Sequence, residues 1–342
     1  MKGTIVACDT LDGRKAAALV VDGRLDDLIV DPAGDPAAGG PPRPGTIFRA
    51  LADRPMKGQG GQFVKLPGGK TGFLRQSKGT RAGQPVLVQV TGYAEPGKAA
   101  PVTQKLIFKA RFAIVTPGAP GINVSRRIRD DDLRQTLTDL IQRACPEATG
   151  VILRSSAQTA EHDELVHEVS GLQSAAQAVL AQSEGSAALI AEGPDAHQIA
   201  GAEWPAEHLQ NASFAELGID DMIAEMRNAY VRLDNGASAW IEPTRALVAV
   251  DVNSGGDTSP AAGLKANISL ARDLPRQLRC RGLGGQVVID FAPLPKKDRR
   301  QIEQVLARAF RADPVDTALV GWTPLGHFEL QRKRERLPTA SL

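Results

Sequence analysis

The sequence is short of cysteine, and the three residues present, Cys8, Cys145 and Cys280, are odd in number and far apart. That excludes a disulfide framework and a zinc site of the CxxC kind, and all three read as reduced thiols. Long hydrophobic runs are missing too, since no segment approaches the roughly 18 consecutive apolar residues that a membrane span needs. The start soon meets Asp9 and Asp12, so no apolar run of signal-peptide length opens the chain. A cytoplasmic protein with no membrane partner is the expectation. A dominant charge of one sign is also lacking: a net charge of +2 makes no bulk electrostatic demand for a nucleic-acid partner.

What is present describes a folded protein of several parts. At 342 residues, with 42% hydrophobic and 23% charged residues, the chain exceeds the size at which one core keeps growing, so two or more packed units are expected. Basic residues gather locally, at 65–78, 98–111, 126–129, 296–300 and 332–336. Any one cluster taken alone reads first as a solvated surface.

Residues 4–30 hold two apolar runs, 16–21 and 28–30, separated by Asp22-Gly23, a hairpin signal. The Pro/Gly-rich passage 32–44 then marks a candidate boundary. Five short β-type segments follow at 46–51, 61–66, 71–74, 85–90 and 102–107, which suggest a small closed barrel of the OB kind. Leu133, Leu137, Leu140 and Ile141 give residues 131–143 a helical spacing, and an apolar strand at 151–153 makes this part α/β. Residues 157–226, rich in Ala, Glu and Gln, are the least informative.

The pattern is clearest from Tyr230 onward. Residues 230–233 and 237–241 flank Asn235-Gly236, which predicts a tight primed turn. A strand at 247–252 delivers Asp251 near its end. A helix over 261–280 follows, closed by Leu283-Gly284-Gly285, and the strand 286–291 delivers Asp290. Pro295 opens another helix with Ile302, Val305, Leu306, Ala309 and Phe310 on one face. This strand–helix alternation implies a mainly parallel sheet, whose ligands bind at the carboxyl ends of the strands, where both aspartates sit.

Each aspartate lies in an apolar strand, where an unpaired carboxylate is costly. Two such groups side by side repel unless one is protonated or a cation joins them. Magnesium suits this need, because it takes one or two carboxylates plus a substrate phosphate and keeps waters elsewhere. Asn253, two residues on, shares the face of Asp251 and is placed to orient its carboxylate. The alternative, strand-end aspartates that bond backbone amides or cap a helix, is not separated from this by pattern alone.

Further residues carry a resemblance. Ala249-Val250-Asp251-Val252-Asn253-Ser254-Gly255, then Lys265-Ala266-Asn267, then 276–285 (RQLRCRGLGG), then Val288-Ile289-Asp290-Phe291, in this order and spacing, resemble the catalytic signature of the ribonuclease E/G family. The resemblance extends over nearly the whole chain, weakening between about 157 and 226. It implies a magnesium-dependent endoribonuclease that hydrolyses single-stranded RNA to 5′-phosphate and 3′-hydroxyl products. Asp251 and Asp290 would be the metal ligands and Asn253 would support the first. The implied fold is α/β with several subdomains: a ribonuclease-H-like subdomain split between 1–42 and 176–226, an OB-fold RNA-binding domain at 43–108, a 5′-sensor subdomain at 109–175 and a deoxyribonuclease-I-like catalytic subdomain at 227–342. RNA contacts fall by resemblance on Phe63, Phe73 and Lys98, which suits stacking of unpaired bases beside a cation. Ordinary barrel core is the other reading of the two phenylalanines. The 5′-phosphate sensor falls on Ile114, Arg154 and Ser155, with Ser155 where threonine is usual; a guanidinium is a strong phosphate partner. The paired Arg126-Arg127 match a family segment as either RNA contacts or structural residues.

The departures are specific. The CPxC-type zinc link and small domain do not follow within the 342 residues, so a monomer or homodimer is expected and a zinc-linked tetramer is not. Asp290-Phe291-Ala292-Pro293 lacks an acidic residue that the family carries after the second aspartate, Pro275 falls inside a predicted helix, and Gly282 stands where aspartate is usual. An RNA-binding module with a weakened metal site is therefore the competing reading. A true ribonuclease H would need a denser acidic cluster than the turn-like Asp9, Asp12, Asp26, Asp27 and Asp31 provide.

Overall fold

A computed structural model describes all residues except 1–2, 35–39, 57–59, 76–79, 96, 149, 206–207, 211 and 340–342. The chain divides into two units, one formed by 1–31 with 204–342 and the other by 32–203. One crossing, at 31/32, falls at the Pro/Gly-rich passage that the sequence marks; the other, at 203/204, falls at no boundary marked in the sequence.

The first unit opens with three antiparallel strands, β1 (Thr4–Leu11), β2 (Arg14–Val21) and β3 (Arg24–Val30). Asp12-Gly13 and Asp22-Gly23 make the two turns at positive φ, which the primed hairpin turn requires. Within the second unit, β4 (Ile47–Pro55), β5 (Gln62–Lys65), β6 (Thr71–Leu74), β7 (Pro85–Val90) and β8 (Ala100–Thr103) pair in the order β4-β5-β6-β8-β7, and β4 also pairs with β7. That last pairing closes a five-stranded barrel like an OB fold. Alternate residues fill it: Phe48, Ala50, Ala52, Val64, Leu66, Leu74, Val86, Val88, Val90 and Val102 are buried. The last barrel strand lies a few residues before the predicted 102–107, because Leu106 turns into a separate buried cluster with Ile47 and Val179.

A small sheet follows, of β9 (Phe108–Lys109), β10 (Ala113–Val115), β11 (Ile122–Val124) and β12 (Val151–Leu153), in the order β11-β12-β10-β9. One face packs on α1 (Asp131–Ala144) and α2 (His162–Leu180) through Ala113, Val115, Leu137, Ile141, Val151, Leu153, Leu165 and Val169. The Asp130 side chain caps α1 by accepting the Leu133 N–H at 3.0 Å. The Glu168 carboxylate on α2 accepts the backbone N–H groups of Arg111, Phe112 and Ala113 at 3.2, 2.7 and 2.9 Å, which fixes the entry to β10. This unit ends with β13 (Ala188–Ala191), which adds to β4, and α3 (Ala196–Glu203).

The chain then returns to the first unit. β14 (Leu209–Gln210) pairs parallel with β1, and α4 (Ile219–Arg227) covers the sheet through Ile219, Ile223 and Met226. Six strands complete the unit: β15 (Tyr230–Arg232), β16 (Ser238–Pro243), β17 (Val248–Asn253), β18 (Gly285–Asp290), β19 (Thr317–Trp322) and β20 (Phe328–Arg332). Their order is β15-β16-β17-β18-β20-β19, with α5 (Pro260–Cys280) between β17 and β18 and α6 (Arg299–Ala312) before β19.

Two expectations need correction here. The sheet is not mainly parallel: β17–β18 is its one parallel pair, because only α5 makes a crossover and hairpins supply the flanks. The turn at Asn235-Gly236 is not a two-residue primed turn. Arg232 pairs with Ser238 and the Leu233 N–H donates to Ala237 O at 2.9 Å, so a longer loop with a 3-10 turn at Asp234–Gly236 spans the gap.

Pro260 and the Ser259 side chain, which accepts from the Ala262 N–H, start α5. Pro275 lies inside it without ending it. Leu270, Ala271, Leu274 and Leu278 of α5 and Ile302, Leu306 and Phe310 of α6 pack on Ile241, Val250, Val252, Val287 and Ile289. Both helices thus cover one face, and the other is left open.

Candidate active site

The open face carries the two aspartates. Since successive strand residues alternate sides, burying Val250, Val252 and Ile289 against the helices turns Asp251, Asn253 and Asp290 outward. Asp251 and Asp290 are direct partners across the parallel β17–β18 pair, at the carboxyl end of each strand, so one strand spacing of about 4.8 Å separates their backbones. The Asn253 amide donates to Asp251 Oδ2 at 2.8 Å, as its position two residues on predicts. Among the described residues, no lysine or arginine makes an ion pair with either carboxylate.

Two residues beside this pair have contacts that the sequence reading assigned to neither: Asn267, quoted only as part of the signature, and His327. Asn267, wholly buried in α5, donates from Nδ2 to Ala292 O and accepts the Ala292 N–H at Oδ1, both at 2.9 Å. It therefore clamps the peptide two residues beyond Asp290. A lone asparagine in the apolar stripe of Ala266, Leu270 and Ala271 was the available signal, because a buried amide must find partners. Gly263 lets Pro293 lie close, since a Cβ there would sit 3.0 Å from Pro293 O. The Ala292-Pro293 loop is thus held by α5. His327 places Nε2 3.7 Å from Asp290 Oδ1. Nothing in its surrounding sequence singled it out.

In the barrel, Phe63 and Phe73 are cross-strand partners with ring centroids 5.3 Å apart. They do not fill the barrel, whose core on these strands is Val64 and Leu74; Phe63 is exposed and Phe73 half-buried. Gly61, at φ +100°, leaves room for the Phe73 ring, which a Cβ would meet at 2.8 Å. Lys98 is exposed and pairs with Glu95 at 2.6 Å. Pro96, beside it in the sequence, lies outside the described residues.

On the small sheet, Lys109, Ile114 and Ile152 form one row across β9, β10 and β12, on the face away from α1 and α2. Arg154 follows Ile152 on that side. Its guanidinium donates to Ala110 O and meets Glu203 Oε2 at 2.5 Å, while Lys109 Nζ meets Glu203 Oε1 at 2.6 Å. Burial pushes the Glu203 carboxyl up, but Lys109 and Arg154 outweigh it and hold the carboxyl below its usual range. Arg154 and Ile114 are thus brought together, with a carboxylate on the guanidinium. Ser155, half-buried, begins a 3-10 turn, Ser155–Thr159, directly after Arg154.

The chain is thus α/β, with a five-stranded barrel in one unit and two in-register carboxylates on a sheet face in the other. Residues 108–200 and 202–335 match the model of the Ribonuclease E/G family. The chain belongs to that family, an endoribonuclease family. It is 28% identical over 296 residues to ribonuclease E of Nostoc sp., which covers 74% of this chain and 43% of that protein. It is 25% identical over 360 residues to ribonuclease G of Salmonella typhimurium, covering 85% and 73% respectively. Ribonuclease E of Escherichia coli is 27% identical over 300 residues, 74% of this chain and 28% of that protein.

Proposed function

We propose that the chain is a magnesium-dependent endoribonuclease that cleaves single-stranded RNA to 5′-phosphate and 3′-hydroxyl products in RNA processing or decay. The observation that carries this is the register of Asp251 against Asp290 at the carboxyl ends of two parallel strands. Adjacent carboxylates without a lysine or arginine partner suit a hydrated divalent cation. Among the described residues no group of three or more His, Cys, Asp or Glu gathers to hold a metal, so the ion would rest on these two carboxylates and on water. Asp251 and Asp290 would hold it, and the bound ion would supply Lewis-acid activation of a water and charge stabilisation at the phosphodiester.

The chain's own groups position that chemistry. Asn253 fixes the rotamer of Asp251, and Asn267 fixes the backbone beyond Asp290. The uncovered sheet face admits the RNA backbone. Phe63 and Phe73 stack bases and Lys98 meets phosphate, a role favoured by the outward placement of Phe63. Arg154, with Ile114 and Ser155, reads a 5′-monophosphate, which replaces the Glu203 carboxylate on the guanidinium. We read the units as a ribonuclease-H-like subdomain, an OB domain, a 5′ sensor and a deoxyribonuclease-I-like catalytic subdomain, in a cytoplasmic protein. No helix among the described residues is long and apolar enough to cross a membrane.

The test is cleavage of a single-stranded RNA oligonucleotide in magnesium. Asp251→Asn and Asp290→Asn should each lower kcat by at least a hundredfold with the fold intact; unchanged cleavage rejects the site. In the same assay Arg154→Ala should abolish any preference for 5′-monophosphate over 5′-hydroxyl substrate. A binding module with a weakened metal site would instead bind this RNA and leave it uncut at every magnesium concentration.

A further inference from the structure

The row that holds the two aspartates does not stop at them. Asp251 pairs across β16 with Trp240, and Trp240 across β15 with Tyr230, so Tyr230, Trp240, Asp251 and Asp290 form one continuous line on the open face. Both rings are exposed, 40% for Tyr230 and 42% for Trp240, with centroids 5.4 Å apart and planes at 70°. Their strand neighbours Val231, Ala239 and Ile241 already complete the core beneath α5, so this burial does not need the two aromatics. We propose that Trp240, braced by its T-shaped contact with Tyr230, is a base-stacking subsite for the unpaired nucleotide flanking the scissile phosphate. This rests on the endoribonuclease reading of Asp251 and Asp290.

Three features commit the face to an RNA strand. Trp240 lies one strand from Asp251 and two from Asp290, about 5 and 10 Å by strand spacing, so the nucleotide next to a phosphate at the carboxylates reaches the indole. An unpaired base has a π-face free to stack, and the T-shaped contact with Tyr230 braces an indole that stays 42% exposed. The flanking rows are charged in opposite senses. Arg232, on the row of Ser238 and Asn253, is exposed and makes no ion pair among the described residues, whereas Glu242 and Glu329 lie on the row of Ala249 and Val288. Phosphates are drawn to the arginine side and repelled from the other, which directs the backbone past the indole toward Arg232.

Stacking tolerates every base and needs one to be present, so the test removes the base. A single-stranded RNA with one mapped cleavage site is made as a series, each member abasic at one position, and cut by the full chain in magnesium. In wild type, one position next to the cut should lower kcat/KM about tenfold when abasic, the usual worth of one stacked base. Trp240→Ala should lower kcat/KM on intact RNA by a similar factor and lose that positional penalty, and Trp240→Phe should retain both. Identical abasic profiles for wild type and Trp240→Ala would overturn the subsite. Binding of the same series to Asp290→Asn, read by fluorescence anisotropy, separates the two readings. Cleavage that survives Asp251→Asn and Asp290→Asn sinks the metal site. The subsite is then still scored by whether an abasic penalty on affinity exists and vanishes in Trp240→Ala.

Discussion

At the scale of single residues, Gly282, where the resemblance expects aspartate, finds a cause in its neighbours. Gly282 follows α5 at φ +64°, with its N–H donating to Arg279 O at 3.0 Å and the Leu283 N–H donating to Leu278 O at 2.8 Å. These two bonds make a Schellman close. Aspartate tolerates the left-handed backbone, so conformation alone does not demand glycine. Space does: a Cβ at Gly282 would lie 1.7 Å from Leu337 O. The glycine and the C-terminal segment that packs on it therefore go together. Gly282→Asp should cost roughly 2–3 kcal/mol in urea denaturation, from overpacking against backbone. A loss under about 0.5 kcal/mol, within the range of ordinary surface changes, would mean that the segment at Leu337 simply moves aside.

Among elements, a buried charge network ties the ends of α5, α6 and β20 together. Asp313, just beyond α6, has no exposed side-chain area and meets Arg332 Nη1 at 3.0 Å and Arg279 Nη1 at 3.3 Å. Arg279 also reaches Asp26 Oδ2 at 2.9 Å, and Arg336 reaches Asp27 Oδ2 at 3.0 Å. Removing one member strands a buried charge, so Asp313→Ala should destabilise by about 3–5 kcal/mol. Arg332, 1% exposed at its side chain, bears most of that loss. The double variant Asp313→Ala with Arg332→Met should recover much of it, and strict additivity of the two single losses would reject the stranded-charge account. Of the elements that carry this network, α5 and α6 were readable in sequence and β20 was not. α1 and α6 declared themselves by apolar spacing, α5 by its Leu283-Gly284-Gly285 close, and the barrel by five closely spaced strands. The mixed pairing of the six-stranded sheet was not readable, because hairpin flanks and a single crossover leave the same local pattern as a parallel run. β13 was harder still: residues 188–191 join the barrel at β4, some 140 positions earlier, and no local signal encodes such a partner. Asp251 and Asp290 stood out as carboxylates in apolar strands, whereas Asn267 was one polar residue in an apolar helix and His327 lay in an unmarked turn.

For the molecule as a whole, acid should act on both units through carboxylates held below their usual range. In the unit containing α5, burial pushes the Asp273 carboxyl up, but Arg276, at 2.7 Å, with Gln277 and Arg24, outweighs it and holds it low. Glu203 is the counterpart in the other unit, held low by Lys109 and Arg154. A carboxyl whose folded pKa lies below its unfolded value binds fewer protons in the native state. The stability it adds is fully present above the unfolded value, near pH 4, and is lost as pH falls through the lower folded value. Asp273→Asn and Glu203→Gln remove that ionisation, so each variant should be less stable than wild type at pH 7 and approach it as the pH falls below about 4. Cys280 gives an internal control: burial pushes its thiol up to about 12, so it stays protonated across this range and should resist alkylation at pH 8 until the chain unfolds. Denaturant midpoints measured from pH 7 to pH 3 decide the matter. A gap between wild type and Asp273→Asn that stays constant over that range would show that the Asp273–Arg276 pair contributes packing and hydrogen bonding alone.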